Sequence, residues 1–142
     1  MNFADIDQVL SIEEEVYSHP WTRGNFSDSL MNGYDAFALL DQDRRIQAYF
    51  WVMPVLDELH LLNFAVSAEK QGKGRGKVML THLFDYAREQ GFASILLEVR
   101  AGNQRAIEVY LKGGFEEIGR RKGYYPALGD QREDAIVMRR IC

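Results

Sequence analysis

The segment Gln71-Gly72-Lys73-Gly74-Arg75-Gly76-Lys77 constrains this chain more than any other. It lies between an extended apolar run, Leu59 to Val66, and a helical pattern, Val78 to Ala87. Three glycines in five positions remove Cβ atoms from a short loop, so successive backbone N–H groups can crowd around an oxyanion. The helix that follows aims its positive end at the same spot. Lys70, Lys73, Arg75 and Lys77 add four cations within eight residues. Strand, anion-binding loop and helix in that order predict a mixed α/β domain with a cradle for a pyrophosphate. The competing reading is a solvated basic turn at the start of a helix.

Spacing narrows the ligand. A magnesium-nucleotide loop needs four residues between its first glycine and Gly-Lys, then Ser or Thr. Here three residues separate Gly72 from Gly76, and Val78 follows Lys77. A dinucleotide fingerprint would need glycine where Lys77 stands. What remains is Gln-x-x-Gly-x-Gly.

Length and charge set the frame. A chain of 142 residues fits one domain, and 46% hydrophobic with 27% charged residues is ordinary for a globular protein. No apolar run reaches the ~18 residues of a membrane span, and the first residues lack the pattern of a signal peptide. The single cysteine, Cys142, has no internal disulfide partner, so a reducing cytoplasm is expected. The net charge of −4 hides an asymmetry. Residues 1–69 carry twelve acids against three bases, and residues 70–142 nine acids against fourteen bases. The basic half holds the glycine loop, as a polyanionic ligand would favour, and the acidic half could steer a cationic substrate. Glu13, Glu14 and Glu15 are expected on the wet face of a helix. No basic stripe interleaved with aromatics is present, so nucleic acid is not an expected partner. His19, His60 and His82 are scattered without ligand spacing, so no metal site is expected.

Periodicity supplies the order of elements. Asp7 to Tyr17 reads as a helix with Val9, Ile12 and Val16 as its buried stripe. His19-Pro20-Trp21-Thr22 breaks it, and Thr22 can cap a second helix to about Asn32. Ala36 to Asp41, Ile46 to Leu56 and Leu59 to Val66 are strand-like, the last two antiparallel through the Asp57-Glu58 turn. The loop opens a helix from Gly74 to about Gln90 with Leu80, Leu83, Phe84 and Ala87 buried, and Gly91 stops it. Ser94 to Val99 is a strand and Asn103 to Lys112 a helix. Phe115 to Gly119 and Ala135 to Arg139 are the last strands, separated by a Tyr124-Tyr125-Pro126 loop. The stretch from Leu59 to Val99 is the expected parallel crossover.

The motifs now add up to a resemblance. Asn63-Phe64-Ala65-Val66, the glycine loop, Leu97-Glu98-Val99-Arg100, Asn103 and Ala106-Ile107-Glu108-Val109-Tyr110 resemble the GCN5-related N-acetyltransferase (GNAT) superfamily. His19-Pro20-Trp21, Gly123-Tyr124-Tyr125-Pro126 and Arg132-Glu133-Asp134-Ala135 resemble one branch of it, the RimI-type bacterial acetyltransferases of a ribosomal protein's N-terminal alanine. The match runs from about Ile12 to Met138. It implies the acyl-CoA N-acyltransferase fold, a mixed and mostly antiparallel sheet flanked by about four helices. The family's opening strand would be short or missing here. Gly102 stands where the family commonly has serine, which bears on how Asn103 is placed.

The resemblance assigns roles that the residues alone leave open. Glu98 stands among Ile95, Leu96, Leu97 and Val99; its ordinary fate is a pairing with Arg100 or with water. A carboxylate at the end of a strand beside a phosphate loop is also where α/β sites are built, and desolvation would raise its pKa toward that of a base. The resemblance implies that Glu98 is the general base, directly or through a water. By periodicity Tyr110 is core; by resemblance it is the general acid. Phe64, Ala65 and Val66 would offer backbone groups to the pantetheine of acetyl-CoA. Gln71, Gly72, Lys73, Gly74, Arg75, Gly76 and Lys77 would hold its pyrophosphate. Asn103 would be both helix cap and polar contact. Trp21, Tyr34, Tyr124 and Tyr125 could wall a groove for a peptide, or simply pack. The implied acceptor is the basic N-terminal peptide of a small-subunit ribosomal protein. A lysine side chain, a small amine and a non-catalytic acyl-CoA sensor are the alternatives.

Overall fold

The computed structural model describes residues 1–142. After a 3-10 turn at Phe3–Asp5 come α1 (Ile6–Val16), α2 (Arg23–Met31), β1 (Asp35–Leu40), β2 (Ile46–Val55) and β3 (Glu58–Val66). A second 3-10 turn, Ala68–Lys70, leads into α3 (Arg75–Glu89), β4 (Ser94–Arg100), α4 (Gln104–Lys112), β5 (Glu116–Pro126) and β6 (Arg132–Ile141). The strands form one sheet in the order β1-β2-β3-β4-β6-β5. Only β3 and β4 are parallel; every other neighbouring pair is antiparallel. This is the mixed, mostly antiparallel sheet with four helices that the family resemblance implies.

Local chemistry explains the boundaries. Thr22 Oγ1 accepts from Asn25 N–H at 3.1 Å while Asn25 Oδ1 accepts from Thr22 N–H at 2.9 Å, a reciprocal box that starts α2. Gly91 at φ +79° turns the chain out of α3. The sheet is covered on both faces. Ile6, Val9 and Phe26 pack with Tyr49 and Trp51 on one side; Leu83, Tyr110 and Phe115 pack with Phe50, Leu59 and Met138 on the other. Residues 48–52 of β2 are therefore buried without a break, as a central strand requires.

One expected boundary moves. β5 does not end at Gly119 but runs through the Tyr-Tyr-Pro segment to Pro126. It is an edge strand exposed on both faces, so its sequence lacks the alternation that marks a half-buried strand. Its ladder with β6 breaks between Arg121 and Tyr125, where Gly123 takes φ +58°.

The feature that positions the site is a splay. β3 and β4 pair only from Glu58↔Ser94 to Leu61↔Leu97. On the other edge of β3 the register with β2 jumps from Val52↔Leu61 to Trp51↔Asn63, so Leu62 is a bulged residue. Beyond it β3 leans away while β4 keeps its ladder with β6 as far as Arg100↔Ala135.

Candidate active site

A cavity of about 700 Å³ opens between the end of β3, the loop and first turns of α3, and α4. β3 contributes Phe64, Ala65 and Val66 to its lining, and the loop with the first turn of α3 contributes Gln71, Gly72, Gly74, Gly76 and Lys77. Asn103 and Tyr110 enter from the side of α4. Gly72 and Gly74 have φ +77° and +82°, with open space where a Cβ would stand. Their requirement is therefore backbone conformation, not room. Gly76 has no such requirement: it lies in the first turn of α3, and its Cβ would make an ordinary 3.8 Å contact with Val66.

The cavity fits a pyrophosphate on its own geometry. None of the backbone N–H groups of residues 72–77 donates a hydrogen bond within the chain, which leaves six consecutive donors free at the start of α3. Lys77, Arg105 and Lys112 line the cavity, and no carboxylate does. Lys73 and Arg75 lie outside the lining. Arg75 turns away, donating from Nε to Gln47 Oε1 at 3.2 Å and from its guanidinium to the Lys73 carbonyl at 3.2 Å, so it braces the loop from β2.

The lip formed by β3 is partly engaged. The Phe64 carbonyl accepts from the Tyr17 hydroxyl, and the Val66 carbonyl accepts from Gln71 Nε2 at 3.1 Å. Each carbonyl keeps a second lone pair for a ligand amide. Asn103 caps α4 by accepting from Ala106 N–H at 3.2 Å. Gly102, in the position that bears on this cap, donates its N–H to Glu133 Oε2 at 2.8 Å.

Tyr110 is 7% exposed, with its ring edge-on to Phe64 at 6.1 Å and Phe115 at 5.6 Å. Its hydroxyl takes no protein hydrogen bond. Burial pushes its phenol above the usual value, with a smaller push from Tyr125. Glu98, on β4, does not line the cavity. Its Oε1 lies 3.1 Å from Arg121 Nε, and its side chain is 23% exposed. Arg100, the partner that proximity in sequence offered, is committed elsewhere, to Glu133 Oε1 at 3.0 Å and the Pro126 carbonyl at 2.9 Å. Tyr125 joins the two candidate groups electrostatically: burial and then the Glu98 charge hold its phenol up at about 12.

The four aromatic residues do not form one wall. Tyr124 and Tyr125 pack edge to face at 5.0 Å, with the Arg121 guanidinium 5.3 Å from the Tyr124 ring and that of Arg100 4.4 Å from the Tyr125 ring. The half-buried Trp21 ring packs on Phe26 at 5.1 Å and Trp51 at 6.3 Å. Tyr34 precedes β1 on the far edge of the sheet, next to Asp35, whose row through Val52 and Leu61 lies at the paired end of the splay.

Several residues were not singled out by the sequence. Glu13, expected in water, is 2% exposed. Its Oε1 accepts from Tyr49 Oη at 2.6 Å and Asn63 Nδ2 at 3.0 Å, and its Oε2 from Trp21 N–H at 2.9 Å. Burial raises its pKa above the ordinary carboxylate value, opposed by these three donors. The position was readable: Val9, Glu13 and Val16 stand four and three residues apart, so Glu13 falls on the buried stripe. This carboxylate ties α1 and the α1–α2 loop to β2 and β3. Because all three partners are donors, an amide cannot replace it: one end would present N–H to N–H or O–H. Glu13→Gln should lower unfolding free energy by about 1–3 kcal/mol in a urea titration. No change in midpoint would refute that role. Glu15 is likewise engaged, accepting from Ala68 N–H at 2.9 Å. Tyr17, Arg105 and Arg121 carry no local signal, since each finds its partner far along the chain.

Comparison with known proteins bears on the whole chain. The acetyltransferase (GNAT) family profile matches residues 6–115. A protein of Escherichia coli (strain K12) named [ribosomal protein bS18]-alanine N-acetyltransferase is 38% identical over 134 residues, 94% of this chain and 89% of that one. One of the same name from Haemophilus influenzae is 34% identical over 94% of this chain and 90% of its own. The crystal structure of the ribosomal-protein-S18-alanine N-acetyltransferase from Escherichia coli superimposes with a TM-score of 0.90 at 35% identity, covering 99% of this chain and 90% of that one.

Proposed function

The chain belongs to the acetyltransferase (GNAT) family, and from that premise we propose that it acetylates the N-terminal alanine of a small-subunit ribosomal protein. One observation carries the choice of acceptor: similarity to enzymes so named runs through nearly the whole chain at 34–38% identity. The family draws on acetyl-CoA, which when bound supplies the acetyl group as an activated thioester.

The chain's own residues then divide the work. The free N–H groups of residues 72–77 and Lys77 bind the pyrophosphate, and the lip at Phe64, Ala65 and Val66 orients the arm that follows. Glu98 accepts the proton of the attacking amine, directly or through a water, as the C–N bond forms and the C–S bond breaks. Tyr110 gives its proton to the departing sulfur. Burial keeps this phenol protonated at neutral pH but also makes it a weaker acid, so the role rests on its place in the cavity and on its hydroxyl, which has no partner in the protein. An α-amine titrates near ~7.7–8.0 and a lysine near ~10.4, so at neutral pH the N-terminus is far more often the free nucleophile. The acidic N-terminal half favours a basic peptide, and Tyr125, within reach of the Glu98 charge, packs with Tyr124 to receive its first side chains. The natural setting for such a substrate is the cytoplasm. No helix is long and apolar enough to cross a membrane.

Intact-mass analysis tests the reading. An alanine-initiated, arginine-rich peptide incubated with acetyl-CoA should gain one acetyl group on its free N-terminus. The same peptide with a blocked N-terminus and an internal lysine should gain none. Transfer to the lysine instead would overturn the acceptor assignment.

A further inference from the structure

Arg105, in the first turn of α4, is a cation without a carboxylate. Its NH1 donates to Gln71 Oε1 at 2.7 Å, and Gln71 Nε2 donates in turn to the Val66 carbonyl at 3.1 Å. These two bonds form a strap from α4 through the first residue of the glycine loop to the lip of β3. Both Arg105 and Gln71 line the cavity, beside the free N–H groups of residues 72–77. A neutral amide oxygen is a weak partner for a guanidinium, which pairs best with the planar oxygens of a carboxylate or phosphate. The side chain is exposed, so moving it disturbs no core contact.

We infer that Arg105 is a phosphate ligand for the coenzyme, held by Gln71 until a phosphate group enters the cavity. The inference rests on the acetyl-CoA reading above and adds to it a cationic arm from α4, facing the backbone donors of the loop. On binding, the guanidinium exchanges one hydrogen bond to Gln71 for charge-assisted bonds to phosphate oxygens. Gln71 keeps its bond to Val66, so the lip stays closed while the strap opens. The pyrophosphate and the 3′-phosphate of the coenzyme share this chemistry, and binding measurements separate them.

The test is calorimetric titration of CoA and dephospho-CoA into the full-length protein and its Arg105→Gln variant, with melting of the free proteins as a control for folding. The free variant should melt with the wild type. Its dissociation constant for CoA should rise about tenfold, the scale of one lost charge-assisted hydrogen bond. An equal loss for dephospho-CoA supports the inference with the pyrophosphate as partner. A loss confined to CoA supports it with the 3′-phosphate. Equal affinities of variant and wild type for CoA would overturn the inference and leave the proposed function standing. Failure of the wild type to bind either compound would overturn both.

Discussion

Glu98→Gln should lower kcat/KM for an alanine-initiated peptide by on the order of 10²–10⁴-fold, the range for a group that moves a proton in the transition state. The substitution keeps the shape of the side chain and removes only its basicity. Its one ion pair, with an Arg121 side chain that is 57% exposed, is of the kind that contributes ~0–1 kcal/mol to stability. The fold should therefore survive, and so should coenzyme affinity, since Glu98 does not line the cavity. Steady-state kinetics with calorimetric titration of acetyl-CoA separates these effects. Unchanged turnover with the peptide would remove Glu98 from the chemistry and leave it as an anchor for Arg121.

Tyr110→Phe should lower kcat by about 10²-fold with little change in peptide KM, because only the departing sulfur is denied its proton. This variant is clean on structural grounds. The hydroxyl has no protein hydrogen-bond partner, so none is orphaned by its loss. The ring keeps its edge contacts with Phe64 and Phe115. A fall in stability comparable with a core truncation would mean that the hydroxyl is held by something the cavity does not provide. An unchanged kcat with intact folding would show that solvent protonates the leaving group.

The two variants probe groups on different elements, Glu98 on β4 and Tyr110 on α4, with Tyr125 from the edge strand β5 in reach of both. That gathering depends on β6, which inserts between β4 and β5 and brings Tyr125 and Arg121 over the end of β4. No local pattern encodes the insertion. β6 is read as a strand from its apolar residues, but its neighbours are chosen by which edges remain unpaired after the crossover forms. The unalternating exposure of β5 follows from the same arrangement, and it explains why the Tyr-Tyr-Pro segment reads as a loop.

Glu13 and Glu98 show the limit from two sides. Glu13 lies on the apolar stripe of α1, so its burial could have been read from spacing; the adjacent acids Glu14 and Glu15 masked it. Glu98 was legible as an unusual carboxylate in an apolar strand, yet its pairing with Arg121 instead of Arg100 was not. Arg100 shares the face of β4 with Glu98, but Glu133 on β6 and the Pro126 carbonyl at the end of β5 claim it.

By itself the sequence determined the order of helices and strands, the glycine loop with its anion-binding backbone, and the Thr22 and Asn103 caps. These depend on periods of two and 3.6 residues, on glycine's access to positive φ and on side chains that bond three residues away, all within one or two turns of chain. Only the tertiary structure decided the splay at Leu62, the strap from Arg105 to Gln71, which three donors surround Glu13, and the exclusion of Lys73, Arg75 and Tyr34 from the cavity. Each of these joins or separates groups across strands and helices far apart in the chain. Their positions are set by how the sheet twists, bulges and fills its two cores, which no short stretch of residues specifies.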